Sequence, residues 1–338
     1  SSSSMEQFMP ASDPAELAAL PARFRLLQKL GSGGFGAVYL AIDEVLNREV
    51  ALKVLTHVTS HTDVQEALLA EARALAAVAH PNIAGVLDVL RLPLVDVLVL
   101  EYVAGGSLAD ALDNSRPLER SQILHLLAGA AAGLGAIHKA GLLHCDLKPE
   151  NILVDGDGRA RIADFGLARL EQQLVTHSSG GSLGYAAPEV MMGEPAAAAS
   201  DWYAFGVIAW ELFAGRRAFG ATRTLETLTH KLRSALAPLS EVASDMPAEV
   251  RHVIAQCLSV APEARPSSAT RVVEVFRPYL AGTSHESVRH LRGVVFIGVI
   301  PTLAMVTLIV LVAKLWIAPE LHGLLGGLSW DRPLRKAA

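Results

Sequence analysis

The 338-residue sequence predicts an α+β chain: a small β-rich lobe with one helix, a larger helical lobe, and one C-terminal helix that spans a membrane. Three observations carry that prediction. From Phe24 to Leu55, short apolar runs alternate around a glycine cluster and a tight turn, the pattern of an antiparallel meander. After Gly105-Gly106 the sequence becomes rich in Ala and Leu at helical spacing. Gly293 to Ala313 then runs 21 residues without a charge, long enough at 1.5 Å per residue to cross a hydrocarbon core of about 30 Å.

Residues 1–23 are Ser-, Ala- and Pro-rich, with a short Leu/Ala stretch around Leu17 and Leu20, and are expected to be a flexible leader without a secretory signal. Strands are expected from Phe24 to Leu30, Ala37 to Ile42 and Val50 to Leu55, with a turn at Leu46-Asn47-Arg48. Val64, Leu68, Glu71, Leu75 and Val78 then fall three or four apart, which predicts one helix over Asp63 to Ala79, ended by His80-Pro81. Two more strands are predicted at Ile83 to Leu90 and Val95 to Tyr102, so the small lobe covers 24–103 and the large lobe 104–280. Helices are predicted there at Ser121 to Ala140, Ser200 to Ala214, Leu225 to Ser234 and Ala248 to Val260. A polar linker, 281–292, leads into the span at 293–313; a short tail, 314–338, carries Leu321, Leu324, Leu325, Leu328 and Trp330 and is expected to lie in the membrane interface.

Lys and Arg total 29 against 34 Asp and Glu, so no global basic field exists and nucleic acid is not an expected partner. The two cysteines, Cys145 and Cys257, have no metal-ligand spacing and fit a reducing compartment.

The run Leu30-Gly31-Ser32-Gly33-Gly34-Phe35-Gly36-Ala37-Val38 fits G-x-G-x-x-G-x-V, in which missing side chains let backbone N–H groups lie over nucleotide phosphates. A dinucleotide fingerprint would open a helix, whereas this loop leads into a second strand, so it predicts a hairpin lid. Lys53 lies inside the apolar strand Val50-Ala51-Leu52-Lys53, where an unpaired ammonium would be costly to desolvate. Its expected partners are nucleotide phosphates and Glu71, favoured over Glu66 because Leu75 lies one turn later on the same face.

With these residues in place the chain resembles the eukaryotic-like (Hanks-type) Ser/Thr protein kinases over Phe24 to about Leu280, and so implies a bilobal protein-kinase-like fold. His144-Cys145-Asp146-Leu147-Lys148-Pro149-Glu150-Asn151 resembles the catalytic loop, Asp164-Phe165-Gly166 the metal motif, and Ala187-Pro188-Glu189 the end of the activation segment. Asp201 and Arg265 are similar to the family's large-lobe anchors, with Arg265 expected to pair with Glu189. The resemblance implies that Asp146 takes the acceptor hydroxyl's proton, Lys148 steadies the γ-phosphoryl oxygens, and Asn151 and Asp164 bind Mg²⁺, with Mn²⁺ an admissible substitute. It places adenine between Val38 and Ala51 above and Leu153 below, against Leu100, hydrogen-bonded to the backbone of Glu101 and Val103.

Where most of the family has Arg before the catalytic Asp, this chain has Cys145, so the guanidinium that receives an activation-segment phosphate is missing. Thr176, Ser178, Ser179 and Ser182 are candidate autophosphorylation sites, Ser182 fitting a structural position better than a switch. The implied function is a membrane-anchored kinase that phosphorylates Ser or Thr of proteins, itself included, with ATP as donor. A pseudokinase binding module and an anchoring scaffold are the rival readings. The implied setting is the inner membrane of a bacterial cell, crossed once and with the lobes in the cytoplasm. Partners are protein substrates and membrane lipid, with a homodimer and an opposing phosphatase compatible with the family.

Overall fold

The computed structural model describes residues 17–280, except 34–35, 57–71, 75, 114–117, 165–183, 220–235, 237 and 245. Several expectations therefore lie outside the described residues: Gly34 and Phe35, Glu66 and Glu71 with most of the first helix, the four candidate phosphorylation sites, the helix at Leu225 to Ser234, and the span. Among the described residues no helix is long and apolar enough to cross a membrane.

The small lobe is a five-stranded antiparallel sheet in the order β1-β2-β3-β5-β4, built from β1 (Phe24–Gly33), β2 (Gly36–Asp43), β3 (Arg48–Thr56), β4 (Val86–Arg91) and β5 (Val95–Glu101). Pairing of β1 with β2 continues to Gly33 opposite Gly36, so these glycines lie in a hairpin whose second arm is a strand, as expected. A Cβ at Gly36, whose φ is +139°, would sit 1.8 Å from the Val54 carbonyl oxygen, so only glycine fits. At the next turn, the buried Asp43 carboxylate accepts the N–H groups of Val45 and Leu46, which fixes the reversal before Asn47 at φ +47°.

Alternation decides which face is which. Tyr39, Ala41, Val50, Leu52, Val54, Val97 and Val99 form the lobe's core together with Phe24 and Leu17. Leu17 is 8% exposed and Leu20 packs beside it, so the last residues of the expected loose leader are part of this core. Their apolar side chains gain more by covering the sheet than by staying in water.

The strand expected from Ile83 begins only at Val86. The reason is that the backbone of residues 82–84 is committed elsewhere: Ala84 N–H donates to Ile162 O at 2.8 Å and Ile162 N–H to Asn82 O at 2.9 Å. Ile162 belongs to a hairpin of the large lobe, β6 (Ile152–Val154) and β7 (Ala160–Ile162). Sequence periodicity does not show this hairpin, whose strands are three residues each. Its turn is closed by the Asp155 carboxylate, which accepts from Asp157 and Arg159 N–H at 2.9 Å each.

Among the described residues the α-helices of the large lobe are α1 (Leu108–Asp113), α2 (Arg120–Lys139), α3 (Pro188–Met191), α4 (Ala198–Ala214), α5 (Leu239–Val242), α6 (Ala248–Cys257) and α7 (Ala269–Phe276). Every residue of α4 from Ser200 to Phe213 is buried, which makes it the axis of the lobe. It is apolar nearly all round, as a helix enclosed by others must be. His138, Trp202, Phe205 and Phe276 form an edge-to-face ladder with ring centroids 5.4, 5.6 and 5.6 Å apart, tying α2, α4 and α7 together. Helix α4 ends at Gly215, in the left-handed region at φ 63°.

Candidate active site

On the sheet face opposite the small-lobe core, Val38 pairs across to Lys53 and Lys53 to Leu98, while Leu40 pairs to Ala51 and Ala51 to Leu100. Directly paired residues of an antiparallel sheet share a face, so Val38, Ala51, Lys53 and Leu100 look the same way. Lys53 brings a charge into that apolar surface, and its Nζ lies 3.1 Å from Asp164 Oδ1, a large-lobe residue. Of the partners expected for Lys53, Glu71 lies outside the described residues; among the described residues Lys53 pairs with the metal-motif carboxylate. Leu153, the expected floor of the adenine site, is half-buried on β6 and bridges to Ser107 just beyond the lobe junction.

The junction itself is held by charge. Glu101 Oε2 pairs with the Arg161 guanidinium, which also donates to Ile83 O at 2.9 and 3.2 Å. The N–H of Glu101 donates to Gly85 O at 2.9 Å, so only its carbonyl is left to face a base.

Below the cleft, Lys148 Nζ lies 2.5 Å from Asp146 Oδ2, and Asn151 Nδ2 donates to the Asp146 carbonyl at 2.8 Å. That bond uses the amide nitrogen and leaves the Asn151 side-chain oxygen to face a cation. Asn151 and Asp164 thus supply two hard oxygens, and among the described residues no group of three or more His, Cys, Asp or Glu could hold a metal ion. Two protein ligands suit Mg²⁺, which keeps several waters and shares phosphate oxygens.

Two non-glycine residues of the site have positive φ, Cys145 at 66° and Asp164 at 56°. Such backbone costs of the order of 1–3 kcal/mol each and persists only where the surroundings fix it. For the catalytic loop the fixing group is Asp201 of α4. Its carboxylate accepts from His144 N–H at 2.8 Å and Cys145 N–H at 2.9 Å, and pairs with His138 Nε2 at 2.8 Å. His144 is fully buried, its Nδ1 accepting from Asp146 N–H at 3.3 Å and its Nε2 lying 3.2 Å from Ala163 O. An acceptor at Nδ1 and a donor at Nε2 define a neutral ring, and burial lowers its pKa below the usual histidine value despite Asp201, Asp146 and Asp164 nearby.

The expected Glu189–Arg265 pair is present, bidentate at 2.7 and 2.8 Å and buried. The Ser200 hydroxyl donates to the same carboxylate at 2.9 Å, and Arg265 also donates to Ser259, Val260 and Ala199 carbonyls. Three groups are not evident from the sequence: Asn82, whose Nδ2 donates to Ala160 O at 2.9 Å; the Glu101–Arg161 pair; and Tyr185 with Glu211 and Arg217. The available signal for the last was a lone carboxylate, Glu211, inside the apolar run of α4.

Residues 24–276 match the family model described as protein kinase domain. The chain belongs to the protein kinase family. Its relatives place this kinase domain among the Hanks-type serine/threonine members. It is 31% identical over 258 residues to a probable serine/threonine-protein kinase of Clostridium acetobutylicum, covering 75% of this chain and 39% of that protein. The serine/threonine-protein kinase pkn2 of Myxococcus xanthus is 38% identical over 234 residues, 66% of this chain and 28% of the relative. PknL of Mycobacterium tuberculosis, also described as a serine/threonine-protein kinase, is 33% identical over 247 residues, 72% and 62%. The chain thus spans between 28% and 62% of the length of these three relatives.

Proposed function

We propose that the protein is a membrane-anchored serine/threonine kinase that transfers the γ-phosphoryl group of ATP to Ser or Thr hydroxyls of proteins, its own included. The observation that carries the reading is the meeting of Lys53 with Asp164 across the cleft, above the Asp146, Lys148 and Asn151 cluster. Mg²⁺ bound with ATP would draw charge from the β- and γ-phosphate oxygens. Asn151 and Asp164 would hold it, and Lys53 would bind the α- and β-phosphates. Asp146 orients the acceptor hydroxyl and takes its proton as that oxygen bonds to the γ-phosphorus and the bond to the β–γ bridging oxygen breaks, leaving ADP. Lys148, already beside Asp146, compensates the charge on the transferred oxygens.

The span is read from sequence: thirteen of the 21 residues from Gly293 to Ala313 are Val, Ile, Leu or Phe. Since ATP is cytosolic, the lobes belong on that side, at a cell membrane crossed once. Phosphorylation within Leu167 to Ala186 has no Arg at 145 to receive it, so modification of Thr176, Ser178 or Ser179 brings little gain in activity. Replacing those three by Ala should leave the protein active; abolished activity would refute this part.

The deciding assay incubates the full chain with Mg²⁺, γ-labelled ATP and a generic protein acceptor, beside a Lys53→Met control. Label on Ser and Thr with the parent chain and none with the control is expected. A parent chain that binds nucleotide and transfers no phosphate would overturn the reading.

A further inference from the structure

Beside the catalytic loop one guanidinium closes a recess of acidic and phenolic groups. Tyr185, two residues before Ala187-Pro188-Glu189, donates its hydroxyl to Glu211 Oε2 at 2.8 Å, and Glu211 is itself only 2% exposed. Ala218 N–H donates to the other Glu211 oxygen at 2.8 Å. The left-handed Gly215 turns the chain back at the end of α4 and brings Arg217 over this pair. Arg217 Nη1 lies 2.7 Å from the Tyr185 oxygen and 3.7 Å from Glu211 Oε2, while Nη2 donates to Asp113 Oδ1 at 3.1 Å. The neighbouring Arg216 takes no part; its guanidinium lies over the Trp210 ring, 4.9 Å from the centroid.

The recess adjoins the site of transfer. Glu150, four residues after Asp146 and exposed, is close enough that its charge bears on Glu211. Asp113 ends the helix that follows the lobe junction and is largely exposed. Without Arg217 the buried Glu211 would lose its only nearby guanidinium among the described residues, and an opening lined by Tyr185, Glu211 and Asp113 would match the donor fork of an arginine.

We propose that Arg217 is a specificity-determining residue: its guanidinium fills this acidic recess from within the chain, so that acceptors are not selected by a flanking arginine. The inference rests on the kinase reading above, and it names a property of the acceptor site that the reading leaves open.

The test uses the full chain and single-serine peptides in which one arginine is walked through each flanking position. For the parent protein, kcat/KM should vary by less than about threefold across the set. In Arg217→Ala one arginine position should gain about tenfold or more, through KM and not kcat, since a charge-assisted hydrogen bond is regained. Arg217→Gln should gain less, and adding Asp113→Ala to Arg217→Ala should reduce the gain. Fluorescence anisotropy of the same peptides reads the recess whether or not phosphate moves. A parent protein that already favours one arginine position tenfold overturns the proposal, whatever the variants do. So does a folded Arg217→Ala, or Arg217→Gln should the alanine variant not fold, whose binding profile equals the parent's. Absence of transfer by the parent counts against the kinase reading instead, and the binding arm still decides the role of Arg217.

Discussion

At the residue scale, buried charges carry most of what the site needs, and each can be tested singly. Arg265 is fully buried against Glu189, whose pKa lies below the usual carboxylate value because the Arg265 and Ser200 hydrogen bonds outweigh the desolvation opposing them. Removing one partner leaves the other charge buried and unpaired, at a cost of about 3–5 kcal/mol. Arg265→Ala should therefore lower the unfolding free energy by that amount in a urea titration, while Glu189→Gln with Arg265→Met should lower it less. Equal losses would show that the pair acts only as packing. His144 offers a second test. The unfolded chain binds a proton at a histidine near pH 6.5, whereas the buried His144 ring binds it only at lower pH. Between those two values the unfolded state holds more protons, so stability is complete above about pH 6.5 and falls as pH drops towards the folded pKa. Thermal unfolding should show this acid limb, and His144→Gln should flatten it; an unchanged limb would assign it to other groups.

At the element scale, the lobes are joined by the segment carrying Asn82 to Ala84, and α2 makes room for it with glycines one turn apart. A Cβ at Gly133 would lie 2.5 Å from Asn82 O, and one at Gly129 2.7 Å from Asn82 Nδ2. Gly133→Ala should therefore displace the segment and cost about 1–3 kcal/mol despite the better helix propensity of alanine. A melting temperature equal to or above the parent's would show that the segment shifts freely. These contacts also explain what is legible in the sequence. The meander from Phe24 to Thr56 can be read because alternation and the glycine loop are local signals. Lys53, Asp146, Lys148, Asn151 and Asp164 can be read because their motifs follow in order along the chain. The β6–β7 hairpin cannot, since three residues carry no period, nor can the pairing of Asn82 with Ile162, whose partner lies 80 positions away. Ile83 to Gly85 resemble strand because they are small or apolar, but their backbone bonds are made partly to the other lobe. Likewise nothing local to Arg217 says that it meets Tyr185 and Asp113, which lie 32 and 104 positions before it.

At the scale of the whole molecule, the question is what residues 281–338 add to lobes whose last described α-helix, α7, ends at Phe276. The run from Gly293 to Ala313 contains thirteen Val, Ile, Leu or Phe residues, each worth about −0.3 to −0.6 kcal/mol on insertion, or roughly −4 to −8 kcal/mol together. Pro301, Thr302, Thr307 and the glycines offset part of that, and no charge opposes it. Arg289 and Arg292 before the run and Lys314 with Trp316 after it are suited to interfaces. If this run anchors the protein, the full chain should sediment with membranes and stay there through an alkaline carbonate wash, whereas a chain ending at Leu280 should remain in the supernatant. Two arginines near the middle of the run, Leu303→Arg with Val306→Arg, cost about 2.5–3.5 kcal/mol each, enough to cancel most of the gain. That double variant should release the protein while leaving nucleotide binding intact, because neither residue belongs to the lobes. A double variant that sediments as firmly as the parent would move the anchor to another segment, and a parent chain found wholly in the supernatant would remove it.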